Sequence, residues 1–478
     1  MGYLNILILF PLFLSTEEIG LYRVLLDAAL FLAVFAAVGI PDATIKFFPY
    51  FKDKEKKHNG ILTYAVQVAF MGFLLCALVF FMFQDSILEN FSNNSPLLTE
   101  YRNYLLPLTL LILLYNIFTI YARALLRIVI PKVIRELFIR LLVAAGTILY
   151  YVDVLTFQEF ITWIVASYGL ALAALLGYIY TLGHLFLKPD YSVFKSPMLK
   201  EVATFSLFTV LGTGSGVIVA KIDTLMLGSM SGLSAVGVYG VAFYLGSVIQ
   251  LPRRNLVDIS APIIARAFKS DDTPKIVELY RKTSLNLLLA GAFLFTGIWT
   301  NIDSVFQLIP NSESFVTGID VVMWIGLAKL IDMSFGVNHE IITNSKYYRW
   351  NMFFLPFLAV LTVVSNLILI PKYGIVGAGI ASFFSITFTN LIRFLFVLIV
   401  LKMHPITFNT FKALIIAGMV FYIAILIPQI NNLYLDILLR GTVITLSYLV
   451  LLLLLKPSED IHNLLLNLGR RIGFIRGE

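Results

Sequence analysis

Apolar residues run in long blocks along this chain, and polar positions are confined mostly to the short breaks between them. A hydrocarbon core about 30 Å thick takes roughly 20 apolar residues of helix. On that measure the pattern predicts fourteen spans, at 2–14, 20–41, 61–83, 105–121, 135–151, 160–183, 203–228, 234–252, 283–299, 321–345, 352–370, 375–401, 413–428 and 436–455. The breaks sort by charge. With the N-terminus inside, the inward connections hold 28 of the 35 Lys and Arg, concentrated at 46–57, 123–140, 188–200 and 253–282. The outward connections and helix edges hold four: Arg23, Arg102, Lys372 and Arg440. Strict alternation at that ratio is the positive-inside pattern, and it predicts that both termini are cytoplasmic. Three basic residues, Lys221, Lys329 and Arg393, fall inside spans.

Superimposed on this pattern is an echo. Gly20-Leu21-Tyr22, with Phe51-Lys52 downstream, recurs 217 residues later as Gly237-Val238-Tyr239 with Phe268-Lys269 downstream. Each copy brackets an apolar run that ends at a basic patch, so the second span aligns with the eighth in the same sense. Six helices apart and parallel, the copies predict repeats about an axis along the membrane normal. The predicted organisation is a six-helix bundle at 1–186, a cytoplasmic linker at 187–200, a second six-helix bundle at 201–401, helices thirteen and fourteen at 413–455, and a cytoplasmic tail at 456–478. The first span is short, covering only about 20 Å as a helix. A misplaced start, a missing beginning, or a helix that stops short of the inner surface would each account for it; the missing beginning fits best. No cleavable signal peptide is evident.

Composition agrees: 59% hydrophobic residues, 13% charged and a mean hydropathy of +0.90 exclude a solvated globular surface. The chain is thus expected to be an all-α integral membrane protein. The net charge of +7 is explained by the cytoplasmic breaks, so it does not point to nucleic acid. The single cysteine, Cys76, lies in an apolar run and excludes an internal disulfide framework or a Cys-rich metal site. His184, His339 and His404 stand isolated near inner helix ends, without the neighbouring ligands a metal needs. No connection is long enough to be a domain, and the Asn93-Asn94-Ser95 sequon reads as part of a polar loop. Gly212, Gly214 and Gly216 cluster in the seventh span, either for close packing through small residues or as a flexible point.

Several segments resemble a known family. Lys221-Ile222-Asp223-Thr224-Leu225-Met226-Leu227-Gly228, then Val236-Gly237-Val238-Tyr239-Gly240-Val241-Ala242, is similar to the D-x-x-M-L-G … V-G-x-Y-x-x-A signature of the polysaccharide (oligosaccharide) flippases. These belong to the multidrug/oligosaccharidyl-lipid/polysaccharide exporter superfamily. Glu17-Glu18-Ile19-Gly20-Leu21-Tyr22 with Val38-Gly39-Ile40, and Leu369-Ile370-Pro371-Lys372-Tyr373-Gly374-Ile375-Val376-Gly377-Ala378-Gly379, resemble two further stretches of that family. The resemblance implies two six-helix bundles around a central cavity, with two helices appended. It also implies an alternating-access transporter in the bacterial inner membrane, not an enzyme, that carries undecaprenyl-pyrophosphate-linked oligosaccharide to the outer leaflet. Such a protein would act as a monomer beside polysaccharide polymerase and glycosyltransferases. A cation-coupled multidrug exporter of the same superfamily is the near alternative, and an integral-membrane glycosyltransferase or polymerase the enzymatic one. Asp271-Asp272 is the nearest approach to an acidic catalytic pair, and it reads as a solvated turn.

A diphosphate crossing lipid needs inward-facing cations and donors, because an unpaired charge there costs several kcal/mol. The candidates for that cavity are Lys221 and Asp223 in the seventh span and Lys329 and Asp332 in the tenth. Lys329 and Asp332, at i, i+3, are placed to neutralise one another. Lys221 and Asp223, two apart, point to different sides, so at least one needs a distant partner or a cavity. Arg23 with Asp27 and Glu136 with Arg140 are expected i, i+4 pairs, and Arg393 is expected to snorkel to the cytoplasmic interface. Arg123, Arg127, Arg253, Arg254 and Arg266, at cytoplasmic helix ends, are candidates for a vestibule that captures pyrophosphate; helix ends of this kind also attract Arg for topology alone. No cofactor is expected. With no Walker A pattern, the drive would come from the membrane potential, or from H+ or Na+ at Asp27, Asp223 or Asp332.

Overall fold

The computed structural model describes residues 2–55, 57–92, 94–188 and 197–471, and among these it contains helices, turns and loops but no strand. Each predicted span falls on helix. The order begins with α1 (Gly2–Phe13), α2 (Thr16–Ala36), α3 (Ile40–Phe51), α4 (Ile61–Ser92), α5 (Leu105–Ala124), α6 (Ile139–Tyr151) and α7 (Phe157–Thr181). It continues with α8 (Pro197–Met230), α9 (Leu233–Ser247), α10 (Leu251–Lys269), α11 (Thr273–Trp299), α12 (Ile319–Ser334) and α13 (Asn338–Asn344). Last come α14 (Asn351–Val400), α15 (Phe408–Leu426), α16 (Leu433–Leu455) and α17 (Glu459–Arg471). Among the described residues, nine helices are long and apolar enough to cross a membrane, so the protein is a multi-pass membrane protein.

Several boundaries differ from the hydropathy pattern for local reasons. The connection predicted at 84–104 is partly helical, because α4 runs on to Ser92. The basic stretch at 253–282 is a helical hairpin, α10 and α11, turned at Asp271 with φ 53°. The tenth predicted span breaks after α12, where Gly336 takes φ +59° against the backbone of Ser284. Spans eleven and twelve form one run of helix, α14, interrupted at Gly374 (φ 56°, ψ −131°), a conformation that glycine supplies without a Cβ clash. Most of the linker predicted at 187–200, the sequon's Asn93 and the end of the tail lie outside the described residues.

Two helices open on reciprocal caps. Ser15 accepts from the Glu18 amide while the Glu18 carboxylate accepts from the Ser15 amide, and Thr156 with Glu159 repeats the device on α7. The chain packs as two compact units, one of residues 1–241 with 359–375 and the other of 242–358 with 376–478. In the first unit a stripe of alanines, Ala29, Ala33 and Ala36, is fully buried against Ala65, Ala69 and the apolar face of α5; small residues of this kind let helices approach closely where lipid offers no hydrophobic drive. In the second unit, Leu285 and Leu289 of α11 pack on Ala413, Ile416 and Val420 of α15 and on Ile444 and Tyr448 of α16. The Tyr448 hydroxyl donates to the Leu289 carbonyl.

The echo takes physical form inside the first unit. A Cβ on Gly20 would lie 1.9 Å from the Leu233 carbonyl oxygen, and one on Gly237 would lie 2.1 Å from that of Thr16. Residue 233 is the 217-residue counterpart of residue 16, as 237 is of 20. Each glycine therefore meets the backbone equivalent to the one its copy meets, which is the exchange a two-fold contact requires. Thr16 and Ser234 seal the crossing through their hydroxyls at 2.7 Å. Close packing does not explain the other glycine cluster: Gly212 and Gly216 meet nothing within 4 Å, whereas Gly214 faces the Phe35 ring.

Candidate functional site

Each unit carries its own set of buried charges. In the first, Lys221 of α8 reaches across to α2 and places Nζ 2.5 Å from Asp27 Oδ1. The Asp27 side chain is 7% exposed and the Lys221 side chain 28%. Asp27 thus takes its ion-pair partner from another helix, 194 residues away, where the i, i+4 spacing points to Arg23. Arg23 itself lies flat over Gly240, where a Cβ would come within 2.6 Å of its guanidinium. Two residues further along α8 and pointing to another side of the helix, Asp223 is 5% exposed. Its two oxygens accept from the Tyr239 hydroxyl at 2.8 Å and from Asn366 Nδ2 at 2.6 Å. Asn366, fully buried, leaves its own Oδ1 without a hydrogen-bond partner. Lys221 and Asp223 therefore both find partners on other helices, as their spacing demands.

In the second unit Asp332 is the hub. Its Oδ2 accepts from Gln250 Nε2 at 3.0 Å and lies 3.3 Å from Arg253 Nε, an ion pair without aligned hydrogen-bond geometry. Its Oδ1 accepts from Asn390 Nδ2 at 3.0 Å, and the Asn390 amide oxygen accepts from Asn338 at 3.2 Å. The i, i+3 pairing expected for Lys329 is replaced by this arrangement: the Lys329 ammonium lies 5.8 Å from the centre of the Phe243 ring. Arg393 does not snorkel outward. It is 7% exposed and stacks at 6.0 Å over Phe354, in the same buried region as Glu340, which is 9% exposed. The vestibule candidates divide. Arg123 and Arg127 are exposed at the end of α5 and in the turn beyond, Arg254 and Arg266 are exposed on α10, and Arg253 is drawn into the Asp332 cluster. Glu136 and Arg140 form the expected pair at 2.6 Å. Among the described residues no group of His, Cys, Asp and Glu is arranged to hold a metal.

Sequence reasoning did not name Tyr239, Asn366, Gln250, Asn390 or Glu340 as site residues. The available signal was an amide side chain inside an apolar span, as at Asn366 and Asn390.

Residues 1–267 match the family model described as "Polysaccharide biosynthesis protein". The chain belongs to this family. For a polysaccharide biosynthesis protein of this kind, the signature motif now has a structural reading. Asp223 and Tyr239 form one hydrogen-bonded pair, Gly228 receives the Ser95 hydroxyl on its carbonyl at 2.6 Å, and Gly237 makes the close crossing with α2. The fold is similar to that of a lipid II flippase, MurJ, in an inward closed conformation, at 14% identity and TM-score 0.71 over 95% of this chain and 96% of that one. It is also similar to an inward-facing multidrug resistance MATE family transporter of the MOP superfamily, at 14% identity and TM-score 0.62 over 80% and 90%. A MOP superfamily transporter from Pyrococcus furiosus matches at 13% identity and TM-score 0.51 over 80% and 86%. At these identities the likeness concerns the fold. No curated protein sequence matches the chain.

Proposed function

We propose that this protein flips undecaprenyl-pyrophosphate-linked oligosaccharide repeat units from the inner to the outer leaflet of a bacterial inner membrane, by alternating access, for surface polysaccharide assembly. The observation that carries this reading is family membership over residues 1–267 in a chain that buries paired charges inside its apolar helices. Such charges are costly in lipid, and they mark polar pathways in transporters. Lys221, Lys329 and the arginines near the cytoplasmic helix ends supply cations for a diphosphate, while the isoprenyl chain stays in the bilayer. The protein acts as a monomer that receives its substrate from glycosyltransferases and passes it to a polymerase.

The drive comes from the membrane potential or from H+ or Na+. Asp223 is the carboxylate best suited to an ion, because the unpartnered Asn366 amide oxygen beside it offers a second hard oxygen. A cation-coupled exporter of small molecules is the second reading, and the acidic Asp223 site favours it. Proteoliposomes carrying the purified protein decide between the two. Acceleration of lipid-linked oligosaccharide translocation over protein-free vesicles, slowed by Lys221→Ala and Lys329→Ala, is the expected result. Translocation no faster than in empty vesicles, with proton- or sodium-driven efflux of a cationic dye, would overturn the flippase reading.

A further inference from the structure

Outside the charges described above, the first unit carries an open groove of about 700 Å³ where the C-terminal half of α3 meets the start of α8. Lys46, Phe47, Lys200, Glu201, Phe205 and Phe208 are among the residues that line it. The Lys46 ammonium lies 3.9 Å from the centre of the Phe205 ring and 5.2 Å from that of Phe47. Among the described residues neither Lys46 nor Lys200 forms an ion pair. Two ammonium groups and the single Glu201 carboxylate therefore line the groove, a net positive charge, and one of the ammonium groups is held in place by aromatic faces. The positive-inside pattern puts residues 46–57 and 188–200 on the cytoplasmic side. Immediately beyond the groove, α8 presents Leu207, Phe208 and Leu211 at 68%, 53% and 57% exposure. Tyr50, at the rim, is 70% exposed, a placement that suits an aromatic at a membrane interface.

We propose that this groove binds the headgroup of an anionic phospholipid from the cytoplasmic leaflet. Its phosphate sits between Lys46 and Lys200, and its acyl chains lie along Leu207, Phe208 and Leu211. The occupant is argued from complementarity at both ends: unpaired cations where the phosphate sits, and an exposed apolar helix face where hydrocarbon must lie. The volume is in the range of small-molecule sites. A headgroup here would tie α3 to α8 and make the protein sensitive to leaflet composition, whatever its transported substrate.

Native mass spectrometry of the full chain in detergent, titrated with phosphatidylglycerol or phosphatidylcholine of the same acyl chains, tests this. Phosphatidylglycerol should be retained in preference to phosphatidylcholine. Its apparent affinity should fall roughly fivefold for each of Lys46→Gln and Lys200→Gln, the share of a surface cation in holding anionic lipid. Lys46→Arg should hold most of it, and all three variants should keep the wild-type melting temperature without added lipid. Equal retention of the two lipids, or phosphatidylglycerol binding unchanged in the Lys46→Gln/Lys200→Gln double variant, would overturn the proposal. A third titration uses an isoprenyl phosphate. Displacement of phosphatidylglycerol by that probe at substoichiometric amounts would reassign the groove to the transported lipid and overturn the proposal as stated.

Discussion

Replacing Gly20 by alanine tests whether the internal echo is a structural joint. The new Cβ would lie 1.9 Å from the Leu233 carbonyl oxygen, whereas such contacts do not fall below 3.0 Å. The obstacle is backbone on both sides, so no side-chain rotation relieves it. Helices α2 and α9 must separate by at least 1.1 Å at their N-terminal ends, which also stretches the 2.7 Å Thr16–Ser234 hydrogen bond. Overpacking of this kind costs roughly 1–3 kcal/mol, and the weakened interhelical hydrogen bond adds about 0.6 kcal/mol. We expect a total of about 2–4 kcal/mol. Gly237→Ala strains the same crossing from the other helix and should cost about as much. Once either Cβ has opened the crossing, the second meets less resistance, so the double variant should lose clearly less than the sum of the singles. Gly212→Ala and Gly216→Ala, which meet nothing within 4 Å, serve as controls and should be neutral or slightly stabilising. The assay is thermal unfolding in detergent, followed by size-exclusion fluorescence. A Gly20→Ala melting temperature equal to that of wild type, or strict additivity in the double variant, would refute the reciprocal-crossing argument.

Other perturbations probe the charges. Lys221→Ala strands the buried Asp27 carboxylate and should destabilise by about 1–3 kcal/mol, a range discounted for the lysine's partial exposure; Asp27→Asn in that background should restore the melting temperature without restoring polysaccharide export in a complemented deletion strain. Asn366→Leu removes the amide donor from Asp223 and should cost about 1–3 kcal/mol, and a melting temperature within 1 °C of wild type would show that the contact contributes little; Tyr239→Phe should cost about half as much. A pH effect is expected at His184, whose Nδ1 lies 3.0 Å from His58 Nε2. Burial, together with Lys54, Arg127 and Lys52, holds its pKa below the ordinary 6.5. The folded state then binds fewer protons than the unfolded state, so this contribution is full above pH 6.5 and is lost as pH falls toward the depressed folded value. A stability scan from pH 8 to 5 should show that loss, and His184→Asn should flatten it; an equally steep curve in the variant would exclude His184 as the cause.

The helical, membrane-spanning character of the chain was legible because it depends on one-dimensional quantities. Apolar run length is a property of the sequence alone, and every predicted span falls on helix. Helix lengths and breaks were less legible, because they depend on particular residues. Apolar content ends near residue 83 whereas α4 continues to Ser92, and Gly374 breaks α14 through backbone geometry that hydropathy does not register. The echo was visible as a repeat, but its reciprocal use, each glycine against the other copy's backbone, needed three dimensions.

The partners of the buried charges show where local rules stop. The i, i+4 expectation is met by Glu136 and Arg140, whose side chains are 45% and 40% exposed. It does not supply the close ion pairs at Asp27 and Asp332, which go to Lys221 and Arg253 on other helices. The difference is physical. On an exposed face a carboxylate has only water and its own helix to choose from, so spacing along the helix decides its partner. In a packed interior the same carboxylate must replace its water shell completely, so it collects donors from its own helix and from its neighbours alike: Asp436 keeps its i, i+4 partner Arg440 at 3.1 Å and also accepts from the Ser304 hydroxyl and the Ile430 amide. Asp223 shows the result, with a donor 16 residues away and another 143 residues away filling both oxygens. Partners of the buried carboxylates in this membrane protein are therefore found less by pairing charges along a span than by asking which apolar runs contain an amide or hydroxyl side chain. By that criterion Asn366, which donates to Asp223, and Asn390, which donates to Asp332 as well as to the Ile386 carbonyl of its own helix, were informative positions in the sequence.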